Sequence, residues 1–278
     1  MIPSSRLLAV FKLMSFAVWM AALFGVQALA LLLSPRLART IPVIFHRLVV
    51  KIYGLDIRLI GEVSKARPTL FMANHSSYLD ITVLGSIMPL SFVAKSEIAA
   101  WPVFGWLAKF QRSVFIERRR SHARNHLDTI GKRLEAKDTI VVFPEGTTGD
   151  GNRVLPFKPT LFRLAEIRTG DKPLTVQPVV IAYTHLNNIP LLRQDRPLFT
   201  WYGDMTLPSH LFTFLGLGRT RVYVYFLPPL TVDQFADTKA MSRACQAQMA
   251  ATLAQALSRK PAEVAKNIKA LIPAAARA

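Results

Sequence analysis

Cysteine is nearly absent from the 278 residues: Cys245 stands alone, which excludes an internal disulfide and fits a reducing compartment. It lies in an Ala- and Gln-rich stretch with no neighbouring histidine, so it reads as a packing residue rather than a nucleophile. Acidic residues are scarce too, 17 against 35 Lys and Arg. The resulting net charge of +18 points to anionic partners: nucleic acid, an acidic carrier protein or a negatively charged membrane leaflet. No Gly-x-Ser-x-Gly elbow occurs, which excludes hydrolysis through a serine of that type. No internal repeat and no linker-like stretch divides the chain, so one α/β domain is expected rather than two.

What the chain has in quantity is apolar surface. Hydrophobic residues make up 51% and the mean hydropathy is +0.28, above the roughly 45–50% apolar content of ordinary soluble domains. From Leu13 to Ser34 there is no charged residue, enough for the ~30 Å of hydrocarbon that about 20 helical residues cross. The run continues through Leu31, Leu32 and Leu33 past its Ala-x-Ala candidate, which argues against a cleaved signal peptide. Arg6 and Lys12 precede it, and Arg36, Arg39, Arg47 and Lys51 follow, so the positive-inside rule gives no clean orientation and a re-entrant or interfacial hairpin fits better. Beyond Pro35, Ile41, Ile44, Phe45, Leu48 and Ile52 recur at helical spacing between Arg39, His46, Arg47 and Lys51. That is the pattern of a basic amphipathic helix on an anionic surface, the competing reading being a helix packed on the core.

The remainder alternates short apolar strands with amphipathic helices, which predicts a mixed, largely parallel sheet flanked by helices. Strands are expected at 57–61, 69–73, 92–94, 114–116, 139–143, 176–182 and 222–226, and helices at 79–87, 103–110, 123–136, 159–167 and 239–257. An apolar segment at 208–218 is expected as a Gly/Pro-bounded loop, dipping into lipid, capping an acyl chain or buried in the core. The expected organisation is an anchor of paired helices over 1–54, an α/β domain over 55–259 and an Ala/Lys-rich tail over 260–278.

One run carries chemistry. The strand 69–73 leads into Asn74-His75-Ser76-Ser77-Tyr78-Leu79-Asp80, at the sheet edge where ligands of α/β proteins usually bind. Five residues of regular helix would set two side chains about 140° apart, so His75 and Asp80 meet only if His75 precedes the helix and Asp80 lies in its first turn. A capping box of Ser77 with Asp80 is the plain alternative, and it leaves the histidine unexplained. A neutral imidazole held by a carboxylate can take a proton from an alcohol near pH 7. His122 and His126 have helical i,i+4 spacing but no third ligand and many cations around them, so no metal is expected. Arg118-Arg119-Arg120, Arg124, Lys132 and Arg133 make a basic face, yet no recognised nucleic-acid motif or aromatic platform interleaves it, and an acidic carrier protein is the other partner that such a face could receive.

The run from Asn74-His75 to Asp80 resembles the first motif of the glycerolipid acyltransferases, a histidine and an aspartate separated by four residues. Three further blocks follow in the order of that family. Ala94-Lys95-Ser96-Glu97, Pro102 and Gly105 lead into Val114-Phe115-Ile116-Glu117-Arg118, similar to the second motif. Phe143-Pro144-Glu145-Gly146-Thr147 is similar to the third and Val176-Gln177-Pro178-Val179 to the fourth. The likeness covers roughly residues 40–230.

The resemblance implies transfer of a fatty acyl group from an acyl carrier protein or coenzyme A thioester to the hydroxyl of a lysophospholipid, with no other cofactor. It implies 1-acylglycerol-3-phosphate as the first acceptor to expect, at the bacterial inner membrane with the catalytic domain facing the cytoplasm. In this reading His75 is the general base, and Asp80 fixes its tautomer. Asn74, Arg118, Glu145, Gly146, Thr147, Arg153 and Lys158 serve the substrate: Arg118 grips phosphate, Glu145 orients a hydroxyl or pairs with Arg118, and Gly146 with the amides near Thr147 approaches the anionic group. Two departures stand out. Thr148 occupies the place where many relatives carry an arginine, which leaves Arg153 or Lys158 to supply the charge, and Arg112 stands where a glycine often opens the second motif. They leave room for another acceptor, such as a lyso-ornithine lipid.

Overall fold

The computed structural model describes residues 3–117 and 123–258 together with Val264, and their side chains except those of 123–126 and Thr169. Apart from Val264, the expected tail of 260–278 lies outside the described residues.

The uncharged run forms the centre of helix α1 (Arg6–Leu33), the one helix among the described residues long and apolar enough to cross a membrane by length and composition. Ser34 stops it and starts α2 (Pro35–Tyr53): its N–H returns to Ala30 O, its hydroxyl accepts from Leu37 N, and Pro35 takes a position where a missing N–H costs nothing. The two helices pack antiparallel. Lys12, inside the apolar helix, is accommodated because its Nζ donates to Tyr53 O at 3.1 Å and Leu217 O at 2.8 Å. Leu7, Phe11, Met14, Val18, Leu29 and Leu32 remain exposed along the outer face of α1.

On α2 the buried positions are Ala38, Ile41, Pro42, Val43, His46, Val49 and Tyr53, so it is a helix packed on the core rather than one free to lie on a surface. His46, expected among the polar positions, is instead buried beside Gly85 with its Nε2 3.0 Å from Gln111 Oε1. Gly85 is what makes room, since a Cβ there would run into the imidazole. Burial pushes the His46 ring down to about 4, partly opposed by the Gln111 bond, so it is neutral near pH 7.

The body is an eight-stranded mixed sheet. Its strands are β1 (Leu55–Ile60), β2 (Thr69–Ala73), β3 (Ser91–Lys95), β4 (Val114–Ile116), β5 (Ile140–Val142), β8 (Thr175–Leu186), β9 (Ile189–Pro190) and β10 (Thr220–Phe226). A small hairpin, β6 (Arg168–Thr169) with β7 (Lys172–Pro173), stands apart. The path across the sheet is β1-β10-β8-β2-β5-β3-β4, with β9 paired to β8. Only the β10–β8 and β8–β9 pairs are antiparallel. β8 outruns the expected strand at 176–182 because β10 continues to pair with it as far as Leu186. It therefore overhangs the end of β2, whose last residue, Ala73, is level with Val179.

Alternation on β8 sorts the core into two layers. Val179, Ile181 and Tyr183 face a layer shared with α1, α2, α3 (Leu79–Ile87) and α7 (Leu207–Leu215). Val176, Val180 and Ala182 face the other, shared with α5 (Ala123–Glu135), α6 (Pro159–Phe162) and α8 (Thr238–Ala256). Cys245 on α8 is fully buried there, and burial pushes its thiol up to about 12, consistent with packing. Helix α4 (Phe104–Phe110) lies against α1, with Phe24 and Phe110 ring centroids 4.5 Å apart. The segment expected as a loop at 208–218 is largely α7: Pro208 opens it, and burial of Phe214 and Leu215 holds its inner face to the core.

Candidate active site

β2 is buried on both faces, so its end is fixed, and the chain leaving it is set by side-chain bonds to the backbone. Asn74 closes the strand. Its Nδ2 donates to Ile181 O at 3.1 Å and its Oδ1 accepts from Ile181 N at 2.7 Å, so the amide acts as an added rung of the ladder with β8. The next residue, His75, thereby leaves the sheet before α3 begins.

Asp80 lies in the first turn of α3 with its carboxylate fully buried. One oxygen, Oδ2, accepts from Ser76 N at 2.8 Å and Ser77 N at 3.0 Å and sits 3.0 Å from His75 Nδ1. The other, Oδ1, accepts from the Tyr183 hydroxyl at 2.8 Å. Burial and the neighbouring Asp80 charge hold the Tyr183 phenol well above its usual value, which keeps it the donor. A carboxylate can only accept, so His75 donates through Nδ1–H and its Nε2 carries the free lone pair. Asp80 thus caps the loop backbone and orients the imidazole as well, but the expected capping box is only half present: Ser77 Oγ accepts from Leu79 N at 3.3 Å rather than from Asp80 N. The His75 ring stacks on Phe143 at 3.9 Å between centroids, and Phe143 in turn stacks on Phe92 at 6.0 Å. Only about a fifth of the His75 side chain is exposed.

Glu145, on the turn after β5, is almost fully buried beneath this loop. Its Oε1 accepts from His75 N at 3.0 Å and its Oε2 from Leu155 N at 3.2 Å. Burial raises its carboxyl to about 8, with the two backbone donors pulling it down and the Asp80 charge pushing it up. Glu145 therefore holds the backbone of His75; the expected pair with Arg118 falls on a residue outside those described. Gly146 adopts φ +67, and a Cβ there would crowd the Lys158 side chain at 3.2 Å. Thr147, Arg153 and Lys158 are exposed around this turn. Arg118 lies outside the described residues, as do His122, Arg119, Arg120 and the side chains of Arg124 and His126.

Sequence reasoning passed over Tyr183 and Phe143 as site residues. Tyr183 left a weak trace, its even spacing from Val179 and Ile181 along β8, but nothing local tied it to a residue 103 positions away. Arg112, which stood where a glycine was expected, does adopt the left-handed φ of +58 that glycine takes easily. It sits before β4 at the amino edge of the sheet, bonded to Asp138 at 3.0 Å, and so bears on packing rather than on the acceptor. Gln177, in the fourth block, is likewise structural: it bonds Ser64 N, Glu62 O and Leu227 O. Among the described residues no His/Cys/Asp/Glu cluster suits a metal.

The chain is similar to known acyltransferases in sequence and in fold. A family model described as acyltransferase matches residues 56–182. The chain is 42% identical over 85% of its length to a protein of Brucella abortus named lyso-ornithine lipid O-acyltransferase, covering 90% of that protein. It is 33% identical over 63% of its length to the 1-acyl-sn-glycerol-3-phosphate acyltransferase of Neisseria gonorrhoeae, covering 66% of it. The fold matches the crystal structure of the 1-acyl-sn-glycerophosphate acyltransferase of Thermotoga maritima with a TM-score of 0.67, over 91% of this chain and 96% of that one, at 18% identity.

Proposed function

Since the chain belongs to the glycerolipid acyltransferase family and acts on lyso-lipids, we propose that its acceptor is a lyso-ornithine lipid, acylated on its free hydroxyl by an acyl carrier protein or coenzyme A thioester. The carrying observation is the length and depth of likeness: 42% identity across 85% of the chain toward the lyso-ornithine lipid O-acyltransferase, against 33% across 63% toward the lysophosphatidate enzyme. Thr148, in place of an arginine after Glu-Gly-Thr, agrees with an acceptor that carries no phosphate. Of the two acceptors expected from the sequence, the second is thus the better supported.

In the proposed reaction Nε2 of His75 takes the hydroxyl proton of the acceptor as that oxygen attacks the thioester carbonyl. Asp80 keeps Nδ1 protonated and stabilises the imidazolium that forms. The tetrahedral oxyanion collapses with cleavage of the carbon–sulfur bond, and the departing thiolate takes the proton back from imidazolium, so that an ester and a free thiol result. No covalent enzyme intermediate and no further cofactor is needed. The exposed apolar face of α1, with Trp101, Val103 and Trp106 near α4 and Phe212 on α7, seats the protein on an anionic bilayer that delivers the acceptor, at the inner membrane with the site toward the cytoplasm.

The test is a competition between lyso-ornithine lipid and lysophosphatidate with purified protein and each thioester donor. Higher kcat/KM for lyso-ornithine lipid is expected; a preference for lysophosphatidate overturns the assignment.

A further inference from the structure

Arg196, in the 3-10 turn Arg193–Leu198, is only 9% exposed. Taking a guanidinium out of water costs several kcal/mol unless a counter-charge meets it, which is why buried arginines usually face carboxylates. Among the described residues Arg196 has no ion pair: a terminal nitrogen donates to Asn152 Oδ1, while Nε is buried without a partner. Asp150 and Asp195 act on it only through space.

This guanidinium forms part of the wall of a cleft of about 200 Å³, beside Thr184, His185, Leu192, Arg193 and Ser258. No Asp or Glu is among the residues that line it. The cleft hangs from the catalytic loop at two points. Asn152, the partner of Arg196, belongs to the loop whose Gly149 N donates to His75 O at 2.9 Å, and just after the Arg196 turn Trp201 N donates to Ser76 O at 2.8 Å. The turn that carries Arg196 is therefore tied by backbone bonds to the loop that carries the imidazole.

We propose that Arg193 and Arg196 seat the anionic group of the acceptor's head, which on the ornithine reading is its free carboxylate. This rests on the proposed function and adds to it the residues that select the acceptor. The planar fork of an arginine suits a carboxylate, and the second, exposed cation draws it in. The acyl donor offers anionic oxygens too, but the phosphate of a carrier arm lies at the far end of that arm from the thioester, whereas the carboxylate of a lyso-ornithine lipid lies a few bonds from its hydroxyl.

Steady-state rates of Arg193→Gln and Arg196→Lys, with acceptor and donor varied in turn, decide it. The acceptor KM is expected to rise roughly tenfold, the loss of one charge-assisted hydrogen bond, with the donor KM unchanged. The methyl ester of lyso-ornithine lipid should show the same weakened KM with the unaltered protein. A rise confined to the donor KM, or no change in either, overturns the proposal. Arg193 is exposed, so its variant keeps the test available if Arg196→Lys fails to fold. If lysophosphatidate alone is turned over, the ornithine reading fails by itself, and the same pair of KM values measured with lysophosphatidate still decides whether these arginines seat the acceptor's anion.

Discussion

Asp80, at the carboxyl edge of the sheet, is met by two backbone N–H groups, a phenol and an imidazole, whereas Asp138, at the amino edge, is met by the guanidiniums of Arg39, Arg112 and Arg133. Both carboxylates are buried, yet their surroundings differ in charge. At Asp138 burial pushes the carboxyl up, but the three arginines outweigh it and hold the group below its usual range. That charge is fully compensated in the folded state and serves to tie α2 and α5 to the sheet. At Asp80 the donors are neutral apart from what His75 becomes, so the carboxylate's field remains for the imidazolium that forms in the proposed reaction. The same residue type is a clamp where its partners carry permanent charge, and part of the proposed proton relay where they do not.

The comparison breaks most decisively at the relay. His75→Ala and Asp80→Asn should each lower kcat by roughly 10⁴, as loss or mis-tautomerisation of a triad histidine does, while the protein still melts cooperatively. Acyl transfer retained near the original rate in either variant would show that this pair is not the relay.

Next in size is the clamp. Asp138→Asn leaves three guanidiniums without their counter-charge and should cost about 3 kcal/mol of stability near neutral pH, with kcat of the folded protein unchanged. Because the folded carboxyl titrates below its usual value, the stability it provides is present above the usual carboxylate range and lost as pH falls through the folded pKa. Denaturant unfolding at several pH values should accordingly show the difference between the variant and the original protein shrinking in acid.

Glu145 sharpens the contrast, because it is a buried carboxylate with neutral donors and no cation. Its carboxyl, raised to about 8, binds a proton in the folded state that the unfolded chain has released, so it erodes stability as pH rises from the usual carboxylate range toward 8. The slope approaches about 1.4 kcal/mol per pH unit. Glu145→Gln should flatten that slope in urea titrations. It should also lower kcat about tenfold with acceptor KM unchanged, since an amide cannot accept from both His75 N and Leu155 N. A pH slope that survives the substitution would exclude this role.

Much of the fold was legible in advance. β2, β4 and α3 fall on the residues expected for them, because each is bounded by a strong local signal: a short apolar run, or an apolar period that starts at a turn. The helix α7 was less legible, since Pro208 and Gly218 bound the segment as they would a loop, and it is held in place because Phe214 and Leu215 find a core to fill. The place of His46 was misjudged for the same kind of reason: its burial depends on Gly85 of another helix. In the site, the spacing of His75 and Asp80 was readable. The capture of Glu145 by the His75 backbone was not, because it joins residues 70 apart.

The sequence by itself determined the apolar reach of α1, the alternation of strand and helix, and the condition under which His75 and Asp80 meet, since these depend on residue type and spacing along one stretch of chain. Only the tertiary structure decided that Tyr183 completes the Asp80 site, that Glu145 anchors the loop, and that Arg196 is buried with no ion pair among the described residues. Those outcomes follow from which strands lie side by side and which groups lose their water when layers close, and no local pattern records either.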